Sequence, residues 1–172
     1  MNPEHHSHDG DPHVGGRPRA LETILLGGAV VAILDIANAM IFWALYRGTP
    51  PRVILQSIAA GLQGKQAFSG GAASALLGAV LHVFIACSVA AVYWAASVRW
   101  PALIRHPFLS GAAYGGVVYA VMQYVVIPLS QTTPGTFRPA WFLANFIGHL
   151  LLVGPPVALI AHWSASHDRP PR

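Results

Sequence analysis

Apolar residues run through this chain in long blocks, and the polar residues that interrupt them are bunched. Between Glu22 and Arg47 the only formally charged side chain is Asp35. No Asp, Glu, Lys or Arg lies between Lys65 and Arg99, between Arg105 and Arg138, or between Arg138 and Asp168. A hydrocarbon core about 30 Å thick is crossed by about 20 apolar residues of helix. Each gap is long enough, so the pattern predicts four transmembrane helices over about 21–46, 72–98, 108–129 and 140–163. Helices are preferred over strands because lipid leaves no partner for exposed backbone groups, and no strand-like alternation argues for a barrel. Trp43, Trp100, Trp141 and Trp163 fall at predicted helix ends, where an apolar ring with a water-seeking N–H collects. The expected fold class is all-α, an integral membrane four-helix bundle.

The connections are unequal. Residues 52–63 carry Ile54, Leu55, Ile58 and Leu62 at helical spacing, with Gln56, Gln63 and Lys65 elsewhere. They predict one short amphipathic helix at the interface, its apolar stripe in lipid or against the bundle. Pro50 and Pro51 suit its start, and Gly70-Gly71 let the chain turn into the second span. Residues 130–138, with Pro134-Gly135, read as a plain turn. Pro107 and Pro139 sit near the starts of the third and fourth spans, whereas Pro155-Pro156 fall inside the fourth and should kink it.

Composition agrees with the pattern. Of 172 residues, 54% are hydrophobic and 9% charged, against about a quarter charged in soluble domains. With a mean hydropathy of +0.51, these values exclude a disordered chain and oppose a water-soluble globule. Ten Lys and Arg residues spread over the whole length leave no nucleic-acid footprint. The single Cys87 excludes an intrachain disulfide and a Cys-rich zinc site. With an even number of spans, Arg17, Arg19, Arg99, Arg105, Arg169 and Arg172 share one side, and Arg47, Arg52, Lys65 and Arg138 the other. Six against four favours cytoplasmic termini. Ala37-Asn38-Ala39 resembles a leader cleavage site, but the apolar run continues through Phe42 and Trp43, so an uncleaved first span is expected. The first 19 residues and residues 166–172 are expected to be disordered tails. His5, His6, His8 and His13 make the first either a solvated tail or a binder of Ni²⁺, Cu²⁺ or Zn²⁺.

An ionisable residue inside a span is costly and marks a functional hypothesis. Asp35, His82 and His149 all fall roughly 14–17 Å from the same surface, near mid-membrane, at about 1.5 Å per helical residue. Asn38, Gln123 and Asn145 form a shallower layer on that side. Small residues accompany them at helical spacing: Gly28, Ala32 and Ala39 beside Asp35; Ser74, Gly78, Ala86 and Ala90 beside His82; Gly111 and Gly115 before Tyr119 and Gln123. Such stripes let transmembrane helices approach closely, so the polar groups are expected to converge inside the bundle.

Four chemistries are compatible with that set. Two histidines and a carboxylate suit non-haem iron, zinc, cobalt or manganese. Two histidines at one depth on different helices can ligate a b-type haem. Asp and His in series can relay protons, since imidazole titrates near neutrality. A carboxylate paired to a histidine can also simply fix helix register. No Gly-x-Gly-x-x-Gly, His-Glu-x-x-His or Gly-x-Ser-x-Gly is present, and His82 and Ser88 stand too far apart on one helix to act together. Cys87 is expected to pack as a small apolar group, and His106 and His162 to serve as ordinary interface residues.

The second half is similar to the YagU-type inner-membrane proteins, a family of unknown function. The residues that carry the likeness are Leu81-His82-Val83-Phe84-Ile85-Ala86, Ala90, Ala91, Tyr93, Pro101, the glycine-rich run 111–116, Pro128-Leu129, Trp141 and Asn145-Phe146-Ile147-Gly148-His149-Leu150. They span about residues 80–150; the Asp35 helix and the Gln56 segment have no clear counterpart. The resemblance implies a small multi-helix bacterial inner-membrane protein and makes His82 and His149 motif positions. The expectation is therefore a multi-pass inner-membrane protein, more a non-enzyme than an enzyme. Its Asp35/His82/His149 core handles protons or ions, fixes the packing of a structural or interaction subunit, or holds haem b or a divalent transition metal. Its partners are the lipid bilayer and a further copy of itself or a membrane complex.

Overall fold

A computed structural model of the protein describes residues 17–133 and 135–167. The histidines at 5, 6, 8 and 13 and the segment 168–172 lie outside the described residues. Six helices follow one another and no strand is found among the described residues. They are α1 (Glu22–Arg47), α2 (Pro51–Gln63), α3 (Gly71–Arg99), α4 (Ala102–Arg105), α5 (Pro107–Leu129) and α6 (Pro139–Ser166). Four of them, α1, α3, α5 and α6, are long and apolar enough to cross a membrane. The protein is an all-α, multi-pass membrane protein.

The long helices run antiparallel in chain order. Helices α1 and α6 pack on each other, with α3 against α1 and α5 against α6. The partition of side chains suits lipid rather than water. Leu45, Leu76, Leu109, Phe84 and Leu129 point outwards, while Ala32, Ala86, Ala90, Val157, Ala158 and Ala161 fill the interior. Helices surrounded by hydrocarbon gain nothing from hiding leucine from leucine, so small residues and close backbones hold them together. At Gly28 a Cβ would stand 2.7 Å from Cys87 Sγ, and at Gly115 and Gly154 a Cβ would collide with the backbone of His149 and of Gly111. These contacts lock α1 to α3 and α5 to α6.

Two elements differ from expectation. Helix α2 lies against the first turns of α3, and the Gly78 of the predicted α3 stripe faces the Leu55 carbonyl of α2 rather than another long helix. Its buried residues are Ile54, Gln56, Ala59 and Ala60, while Leu62 stays exposed. The apolar periodicity located the helix correctly, but close packing at Gly78 selected the side with small residues. Gln56 is buried because its amide N–H donates to the Gly71 carbonyl at 3.1 Å. The second difference is α4, a one-turn helix in the segment expected to be a short loop.

Within α6 the proline pair is accommodated by a π turn at residues 149–153. Neither proline can donate a backbone hydrogen bond, and the Gly154 N–H reaches back to the His149 carbonyl. A π turn inside an α-helix shifts the register of the side chains on either side of it. Here that places His149 on the α1-facing side while Gly154 presses on α5.

Candidate functional site

Asp35 and His149 are held by the α1–α6 contact. Asn38, one turn beyond Asp35, lies against Gly148, where a Cβ would stand 2.6 Å from its Nδ2. Glycine at 148 therefore permits the approach that brings Asp35 near His149. The Oδ1 of Asp35 is 4.0 Å from His149 Nδ1, with the imidazole 9% exposed and the carboxylate 25%. That separation suits an ion pair or a water-bridged contact and exceeds a direct hydrogen bond.

The tautomer follows from the partners. His149 Nδ1 is 2.9 Å from the Asn145 carbonyl. A carbonyl only accepts, so Nδ1 carries hydrogen and donates it. Tyr119 of α5 stands edge-on to the imidazole, with ring centroids 5.4 Å apart. Phe146 and Phe142 continue from Tyr119, and Phe137 follows at the helix entry. This aromatic row runs from mid-span to the end of the bundle where Phe42, Trp43, Tyr46 and Trp141 cluster.

His82 lies apart from this pair. Its Nε2 donates to the Ala32 carbonyl, 3.0 Å away on α1, one turn before Asp35. The structure thus brings two of the three core residues together and gives the third a backbone partner. Among the described residues no three His, Cys, Asp or Glu side chains gather closely enough to hold a metal ion. Only Asp35 and His149 approach each other, at 4.0 Å, while His82 donates its Nε2–H to the Ala32 carbonyl. The expected metal set of His82, His149 and Asp35 is not assembled by this geometry.

The neutral companions also divide. The Nδ2 of Asn38 is buried with no hydrogen-bond partner among the described residues. Asn145 contributes its backbone carbonyl to His149 rather than a side-chain contact. Gln123 lies in a second π turn, Met122–Val126, half-buried and outside the Asp35–His149 contact. Cys87 packs by its sulfur on Gly28, as its apolar surroundings suggested.

Sequence reasoning missed a second polar cluster, at the opposite end of the bundle. The Tyr93 hydroxyl is 3.0 Å from the Leu103 carbonyl and 3.0 Å from Ser110 Oγ. Tyr114 donates to the Val89 carbonyl at 2.7 Å, and His162 Nδ1 to the Ile104 carbonyl at 2.7 Å. The signal available was the pair Tyr93 and Tyr114, which the charge gaps do not weigh. No family model matches the chain, and no curated protein or solved structure matches it either.

Proposed function

We propose that this is a multi-pass bacterial inner-membrane protein that handles protons or small ions through Asp35 and His149. The observation that carries the reading is the Asp35–His149 contact at 4.0 Å in the middle of two spans. An acid and an imidazole at that depth are costly and mark a functional hypothesis. The carboxylate is not sealed: a quarter of its side chain is open, and the neighbouring Asn38 amide lacks a partner among the described residues. The open part of the carboxylate is where a proton or small ion reaches the pair. The likeness of residues about 80–150 to YagU-type proteins supports the inner-membrane location, and the Arg distribution supports cytoplasmic termini.

The test is flux through the full chain reconstituted in liposomes, with a proton or sodium gradient imposed across the bilayer. Dissipation above that of empty liposomes, lost in Asp35→Asn, is the expected outcome; equal flux in the variant overturns the reading. A fluorescent protein fused to the C-terminus should fluoresce in cells if that terminus is cytoplasmic.

A second reading is a structural or interaction subunit, with a further copy of the chain or a membrane complex as partner. It is favoured by the backbone bond from His82 to Ala32, which ties α3 to α1 without any proton movement. Under that reading Asp35→Asn lowers the melting temperature and leaves flux unchanged.

A further inference from the structure

Away from the Asp35–His149 pair, a wide-mouthed surface cavity of about 610 Å³ lies where the end of α2, the following turn and the α5–α6 connection meet. It is lined by Leu62, Gln63, Gln66, Ser69, Gly70 and Gln131. Two polar side chains that are themselves buried hold its walls in place. Ser74, 2% exposed, donates its hydroxyl to Gln63 Oε1 at 2.6 Å. Gln56, also 2% exposed, donates to the Gly71 carbonyl at 3.1 Å and so fixes the Gly70–Gly71 rim. The far wall is tied down where the Gln131 N–H donates to the Gly61 carbonyl at 2.9 Å. Positive φ at Gly64 and Gly71 bends the chain around the opening, a conformation other residues adopt only with strain.

Burying a serine and a glutamine is unfavourable unless both are hydrogen-bonded, and here both are spent on shaping this corner. The consequence for Gln63 is specific. Its carbonyl oxygen is taken by Ser74, so its amide hydrogens remain for whatever enters. Gln66 and Gln131 add carboxamides that both donate and accept. No formally charged side chain lines the cavity; Lys65, in the same turn, is exposed and outside the lining. A carboxylate or an ammonium would find no counter-charge there. Hydroxyl groups, which donate and accept in alternation, match the amides, and the exposed Leu62 offers an apolar surface for C–H groups.

We propose that this cavity binds a neutral, polyhydroxylated group of sugar size. The volume falls within the usual range for small-molecule sites. The cavity lies at the end of the membrane-spanning bundle, so the same chemistry can reach it as a glycolipid headgroup or as a free sugar. This proposal is independent of proton or ion handling.

The test uses the full chain in phosphatidylcholine nanodiscs. In one arm maltose is titrated by calorimetry; in the other the nanodiscs contain digalactosyl diacylglycerol and retained lipid is counted by native mass spectrometry. Saturable binding in either arm is expected, weakened about tenfold by Gln66→Leu or Gln131→Leu. Both residues are exposed, so their replacement should leave the helical spectrum and melting temperature unchanged. Binding of the glycolipid alone assigns a headgroup, and binding of maltose alone a free sugar. No saturable binding of either probe, or binding unchanged in both variants, overturns the proposal.

Discussion

Two polar clusters sit inside this bundle, and they are built to different standards. Where α3, α4, α5 and α6 meet, Tyr93, Tyr114, Ser110 and His162 all find oxygen partners between 2.6 and 3.0 Å, and Tyr93 is 1% exposed. At mid-span Asp35 and His149 stand 4.0 Å apart, the carboxylate is a quarter open, and the Asn38 amide has no partner among the described residues. A low-dielectric interior rewards complete satisfaction and penalises the lack of it. The first cluster behaves as a lock. The second is less completely satisfied, and the proposed function rests on it.

Mutations should separate the two clusters. The largest effect is expected at neither, but at the helix crossing that supports the second. Gly115→Leu would drive a side chain into the His149 backbone and should cost about 3 kcal/mol or more, read as loss of a monodisperse folded species on size-exclusion chromatography. Next, His149→Gln should reduce flux about tenfold, equivalent to about 1.4 kcal/mol in barrier, with a melting temperature close to wild type. If the melting temperature collapses instead, His149 belongs with the lock. Tyr114→Phe should do the converse. Losing its bond to Val89 should lower stability by about 1 kcal/mol and leave flux unchanged. The smallest effect is expected for His82→Ala, whose single interhelical bond to Ala32 should be worth about 0.6 kcal/mol, seen in chemical denaturation and absent from flux.

Much of this was legible before the structure. The spans could be drawn from gaps between charges because a hydrocarbon core forbids charge over a fixed length, which needs no knowledge of tertiary contacts. Depth followed from helical rise, and it placed Asp35 and His149 level, where the structure pairs them. It could not reveal that His82, level with both, turns its Nε2 to a backbone carbonyl, since a carbonyl partner leaves no trace in side-chain spacing. The buried face of α2 was hidden for a related reason. Periodicity favoured Ile54, Leu55, Ile58 and Leu62, but the approach to Gly78 decided the contact and drew Gln56 inward. The cavity beside α2 was equally invisible, because its residues come from two segments separated by α3 and α5. Pro155-Pro156 announced a disturbance in α6; that it is a π turn beginning at His149 depended on Gly154 meeting Gly111.

The central claim is that the incompletely satisfied pair, and not the lock, carries activity. Proton flux through Asp35→Asn and Tyr114→Phe, reconstituted at equal density in one lipid, tests it most directly. The account predicts a fall of about a hundredfold in Asp35→Asn, the low end of what a positioned acid or base contributes, with Tyr114→Phe at the wild-type rate. Equal flux in wild type and Asp35→Asn would contradict it.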